Sequence, residues 1–120
     1  MATVMITDGL ITIEFGRWER MFTGRSRQLI PAHAVRQAVV THQPLRVARG
    51  ARKGLAVSGH TKIGVWGLFG GPRQLVAANR DQSGAHLILD RASSGGEFDE
   101  VVLSVPDAGR LVEEIRRVAA

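Results

Sequence analysis

The 120-residue chain has no cysteine, no tyrosine and only four prolines, and its sixteen basic residues include just two lysines, Lys53 and Lys62. Without cysteine, disulfides, zinc–thiolate sites, iron–sulfur clusters and thiol nucleophiles are excluded together. No apolar run approaches the roughly 20 residues of a membrane helix. The start, Met1-Ala2-Thr3-Val4, lacks a basic segment leading into an apolar stretch. Both absences point to a cytoplasmic protein. No repeat, linker or low-complexity block appears, so one domain is expected over residues 1–120. What is present is ordinary globular composition, with 44% hydrophobic and 22% charged residues.

The charge is distributed unevenly. The net charge is +5, yet residues 16–80 carry twelve Arg/Lys against Glu19 alone, while residues 81–120 carry four Arg against eight Asp/Glu. Such asymmetry can draw anionic partners to a basic face, or draw copies of the chain together through complementary faces.

Hydrophobic periodicity predicts mostly short strands over about residues 3–105. Thr3 to Thr7 and Leu10 to Phe15 flank Asp8-Gly9, a strong two-residue hairpin signal. Between Gly16 and Gly24 the period changes, with Trp18, Met21 and Phe22 at helical spacing. Arg27 to Ile30, Val35 to Thr41 and Leu45 to Arg49 read as strands. Gly50 to Thr61 reads as a glycine- and basic-rich loop. Lys62 to Phe69, Gln74 to Asn79, Ala85 to Asp90 and Phe98 to Val105 read as further strands, and Gly64 and Gly67 suit a bulge or a close strand crossing. At about 107–119, Leu111, Ile115 and Val118 form the stripe of an amphipathic helix, with Asp107 near its start and arginines near its end. Short strands closed by one helix imply a small sandwich or barrel.

The order of these features is Ile30-Pro31 then Val35, a glycine-rich middle, Val65-Trp66-Gly67-Leu68-Phe69, Phe98-Asp99-Glu100-Val101-Val102 and Val105-Pro106-Asp107 entering a helix. It resembles the small bacterial pleckstrin-homology (PH)-like domains over nearly the whole chain. The resemblance implies a mainly β fold: an antiparallel β-barrel or sandwich of about seven strands, its two sheets near-orthogonal, capped by the C-terminal helix. It also implies a binding or assembly module with no catalytic residues. Eukaryotic relatives often bind phosphoinositides through basic residues around the first strand–strand loop. Here that turn is Asp8-Gly9, short and acidic.

Residue patterns that carry chemistry are sparse. Gly54-Leu55-Ala56-Val57-Ser58-Gly59-His60-Thr61 approximates a phosphate-binding loop, but His60 stands where lysine is required and a strand follows instead of a helix. None of His33, His42, His60 and His86 lies at i, i+4 from another ligand on a helix. His86 and Asp90, on one strand face, would sit about 13 Å apart at 3.3 Å per residue. Ser58 lacks the glycine two residues before it that a nucleophile elbow needs. Asp99 and Glu100, adjacent on a strand, point to opposite faces. The aromatics sit mostly in apolar context, where core packing is their commoner role. The expectation is therefore no catalytic site, no metal and no cofactor.

The candidate anion- or partner-binding residues are Arg46, Arg49, Arg52 and Lys53, four cations within eight positions on a glycine-rich stretch. The function expected first is a non-catalytic binding or scaffolding module for protein–protein interaction or self-association. Weak binding of an anionic membrane surface or lipid headgroup through those four residues comes second. Nucleic-acid binding comes third, since no recognition signature accompanies the charge.

Overall fold

Asp8 and Gly9 both adopt left-handed backbone, at φ 52° and 74°, as a two-residue type I′ hairpin turn requires. A computed structural model describes residues 2–120 and shows this turn joining β1 (Thr3–Thr7) to β2 (Leu10–Glu14). The short helix α1 (Arg17–Thr23) leads on to β3 (Arg27–Pro31), which pairs with β2 to complete a three-stranded antiparallel sheet. Its registers place Ile6, Ile11 and Ile30 in one row on one face, and Met5, Thr12 and Leu29 in a row on the other.

A 3-10 turn at Ala32–Ala34 redirects the chain into a second sheet. That sheet comprises β4 (Val35–Thr41), β5 (Arg52–Val57), β6 (Thr61–Trp66), β7 (Gln74–Asn79), β8 (Gly84–Leu89) and β9 (Glu100–Ser104), in the order β4-β8-β9-β7-β6-β5. Strand β9 lies between β7 and β8 and runs parallel to β7. The four-residue connection 80–83 therefore spans a gap that β9 fills. Ser104 ties the end of β9 to that connection: its hydroxyl accepts from the Asn79 amide at 2.9 Å and donates to the Gln82 carbonyl at 3.4 Å. All five residues of β9 are buried, as suits a central strand covered on both faces.

The main core lies between the sheets. Ile11, Ile13, Phe15 and Ile30 from the first meet Leu75, Ala85, Leu87, Val101 and Leu103 from the second. Helix α3 (Ala108–Ala119) closes this core with Ala108, Val112 and Ile115, packing on β4, β8 and the 3-10 turn. The Asp107 side chain caps it by accepting from the Arg110 amide. On the opposite face of the second sheet, Trp66, Val76, Ala78, Val102 and Ala48 form a smaller cluster. No described helix is long and apolar enough to cross a membrane.

The structure is mainly β, with two sheets and a C-terminal helix, and several finer expectations change. Among the described residues nine strands form instead of about seven, one pair is parallel, and the sheets do not close into a continuous barrel. Residues 45–49 are not a strand. Pro44–Val47 makes a helical turn, α2, with proline in the first-turn position where its missing N–H costs nothing. Strand structure begins instead at Arg52, inside the expected loop. Gly54 and Gly64 face each other across β5 and β6 at φ 147° and 146°, and a Cβ on either would lie 2.3 Å from a carbonyl oxygen of the other strand. Gly54, expected in a loop, and Gly64, expected at a bulge or close crossing, are what let these strands approach. In α3, Val118 is exposed rather than part of the buried stripe.

Helix α1 is also turned inside out relative to its sequence pattern. Glu19 and Thr23 face inward, while Trp18 is 66% and Met21 65% exposed. Glu19 explains the orientation, because its carboxylate accepts from the Gly16 amide at 2.7 Å and from the Ala2 amide at 3.1 Å. These bonds satisfy main-chain donors that would otherwise be stranded near the core.

Candidate functional site

The basic segment begins on α2, which lies on the outer face of the second sheet, and its seat is polar. Lys62, on β6, donates to the Leu45 carbonyl at 2.7 Å and the Ala48 carbonyl at 3.0 Å, satisfying acceptors at the end of this short helix. Gln74, fully buried on β7, donates to the Val47 carbonyl at 2.8 Å and accepts from the Arg49 amide at 3.0 Å. Beneath it Glu100 Oε1 accepts from Gln74 at 3.2 Å and from His86 Nε2 at 2.6 Å. His86, Glu100 and Gln74 thus form a polar row across β8, β9 and β7 that anchors residues 45–49. The apolar side of this seat is the cluster around Trp66.

These anchors position the candidate cations, and all four are exposed. Arg46 and Arg49 belong to the anchored segment. Arg52 shares a cross-strand row with Trp66 and Gln74 on the outer face, whereas Lys53 shares one with Val65 and Leu75 on the core face. Strand alternation therefore separates Lys53 from the three arginines, and the set is not the single mobile loop expected from its glycines. None of the four forms an ion pair among the described residues, in contrast to Arg25, Arg36 and Arg91.

An aromatic residue stands at the same end of this sheet. The β6–β7 loop is pinched at its base, where a Cβ on Gly67 would lie 2.0 Å from the Pro72 carbonyl oxygen, and Phe69 projects from it 91% exposed. The Leu68 amide bonds to the Ala51 carbonyl at 3.2 Å, which holds the loop beside Arg49 and Arg52. Expecting the aromatics in the core is correct for Phe15, Trp66 and Phe98 and wrong for Phe69 and Trp18. The sequence signal for Phe69 was the pair Leu68-Phe69 running straight into Gly70-Gly71-Pro72.

A second surface lies on the first sheet. No residue of its outer face is buried: Met5 is 56% and Leu29 45% exposed, with Leu10, Thr12 and Pro31 between and beside them. The hairpin register could have revealed this row, because Met5 and Thr12 pair directly once the Asp8-Gly9 turn is placed.

The Arg25–Glu97 pair fastens the segment before β3 to the segment before β9. Two bonds from the Arg25 guanidinium, at 3.0 and 2.8 Å, hold the Glu97 carboxyl below its ordinary range. Arg25 also stacks 4.9 Å from the centre of the Phe98 ring. His42 meets only the Ser83 hydroxyl, at 3.1 Å, and His33 and His60 are exposed. Residues 58–60 form the β5–β6 hairpin turn, and Lys62 is engaged with α2. Among the described residues no three metal-ligating side chains converge.

The chain matches no protein-family model, no curated protein and no solved structure.

Proposed function

We propose that this chain is a non-catalytic binding or scaffolding module that recognises protein through the outer face of the β1–β2–β3 sheet. The observation that carries the reading is that, among the described residues, no layer covers this face, although Met5, Leu10, Leu29 and Pro31 give it apolar surface around Thr12. Exposed apolar side chains clustered on one uncovered face are a common mark of interaction sites in folded proteins. A cytoplasmic location and a PH-like ancestry belong to the same proposal. Two sheets sharing a core with a C-terminal helix support that ancestry, and the parallel insertion of β9 departs from it. The test places charge at the centre of the face with Thr12→Lys and Leu29→Lys together. A partner retained from native extract by the immobilised wild type and lost by this variant supports the reading; equal retention by both defeats it.

Phe69 favours a second reading, docking on an anionic membrane surface. An exposed aromatic between glycines, flanked by the unpaired Arg49 and Arg52, combines an apolar wedge with basic surface. Each arginine near an anionic bilayer contributes about 1 kcal/mol, fading beyond a Debye length of about 8 Å at physiological salt. Cosedimentation with phosphatidylserine vesicles should weaken with salt and on Phe69→Ala or on Arg49→Glu with Arg52→Glu. Binding indifferent to lipid charge or to these substitutions excludes it.

A further inference from the structure

The two sheets leave four strand edges, and three of them carry features that discourage pairing. Along β4, Arg116 of α3 donates to the Ala38 carbonyl at 2.8 Å, and the register slips between Val35 and Gln37. Strand β3 carries Arg27 and ends in Pro31, while β5 carries Arg52 and Lys53 in succession. Charge, proline, irregularity and cover are the usual protections of an edge. Strand β1, Thr3-Val4-Met5-Ile6-Thr7, has no charge, no proline and no break in register.

The hairpin determines which of its main-chain groups are free. Thr7 and Leu10 close a two-residue turn and so form a hydrogen-bonded pair; along an antiparallel ladder such pairs alternate with non-bonded ones. Thr3, Met5 and Thr7 therefore bond to β2, and the N–H and C=O groups of Val4 and Ile6 point away from it. No turn or side-chain hydrogen bond engages these groups among the described residues. The side chains of Val4 and Ile6 are only half-buried at the margin of the core.

We propose that β1 pairs antiparallel with β1 of a second copy of this chain, about a two-fold axis at Met5. This inference goes beyond the protein-binding reading, because it engages the edge of the same sheet and leaves the outer face open. In this register Val4 faces the second copy's Ile6, and each pair joins groups that are free in the single chain. Full overlap of the five-residue strand selects it over registers centred on Val4 or Ile6. Met5 faces its own counterpart in a non-bonded pair, with Cα atoms about 4.5 Å apart. The result is one six-stranded sheet whose outer face joins two Met5–Thr12–Leu29 rows. On the core side the second copy's Ile6 arrives next to Val4, beside a cavity of about 240 Å³ lined by Ala2, Thr3, Val4, Val105, Pro106 and Leu111. Both sides of the seam are uncharged, so no like charges oppose closure.

The absence of native cysteine makes the test direct. Oxidised Met5→Cys should run as a covalent dimer, since the paired Cα separation lies within disulfide range. Thr12→Cys should stay monomeric, because its counterpart is three strand spacings away, about 14 Å. In sedimentation, wild type should dimerise, and Met5→Lys should weaken the dimer at least tenfold; at concentrations where both are monomeric the two should melt alike, Met5 being exposed. A wild type that stays monomeric at millimolar concentration overturns the proposal, as does a dimer indifferent to Met5→Lys or a Met5→Cys that cross-links no faster than Thr12→Cys. None of these results depends on the Thr12→Lys, Leu29→Lys retention assay, so either claim can fail alone.

Discussion

The two sheets share one core but differ in what lies behind them. The second sheet is covered twice, by the core on one face and by residues 45–49 on much of the other, and its outward polar groups are used to fasten that cover. Gln74, Glu100 and His86 bond to one another, and Gln74 bonds to the Val47 carbonyl of α2. The first sheet is covered once. Its outward row contains Met5 and Leu29 where the second sheet has Val76 and Val102. The difference shows that an apolar residue's location depends on whether the chain supplies a lid, not on its strand's alternation alone.

The largest expected effect separates inside from outside on one strand. Ile30→Ala should cost about 2–5 kcal/mol in denaturant unfolding, because Ile30 is 1% exposed and fills the shared core. Leu29→Ala, one residue earlier, should change stability by no more than about 0.5 kcal/mol. Equal losses would mean that the first sheet is covered on both faces. Ile115→Ala should resemble Ile30→Ala, as α3 closes the same core.

A smaller effect tests the lid of the second sheet. Gln74→Ala removes the donor to Val47 and the acceptor for Arg49, leaving partners unsatisfied at about 1–3 kcal/mol. Its signature is local, with faster amide exchange over residues 45–51 while β1 to β3 exchange as before. Uniform loss across the molecule would assign Gln74 to the global core instead.

The pH response gives a smaller signal still. Because the Glu97 carboxyl titrates below its ordinary range when folded, its ion pair with Arg25 adds stability above that range and loses it as pH falls through the depressed value. Wild type and Glu97→Gln should therefore differ slightly in unfolding midpoint at pH 7 and converge in acid. A difference that grows in acid would reverse the assignment. The pair is partly exposed, and its contribution should stay below about 1 kcal/mol.

Local signals in the sequence were sufficient for much of the fold. The Asp8-Gly9 turn, β1, β7 and α3 follow from turn chemistry and periodicity, because each is set by neighbours within a few residues. The errors arise where distant partners decide. Residues 45–49 alternate like a strand, yet Lys62 and Gln74, remote in sequence, bond their carbonyls and hold a helical turn. Gly54 reads as loop until its partner Gly64 is known. The parallel placement of β9 depends on a connection that skips a strand, which no local pattern encodes. Of the candidate site, the four cations were legible as charge, but their division between faces was hidden with β5. Phe69 was masked by its apolar neighbours, and the His86–Glu100 bond joins two strands through a diagonal register.

The most direct test of the open edge on the singly covered sheet is residue-resolved amide exchange at two protein concentrations. At low concentration the Val4 and Ile6 amides should exchange rapidly, while Met5, bonded to β2, and Val76 and Val102, central in the second sheet, should be protected. At high concentration Val4 and Ile6 should become protected as β1 pairs with its copy, and Val76 and Val102 should not change. Protection of Val4 and Ile6 that is the same at both concentrations would contradict the account.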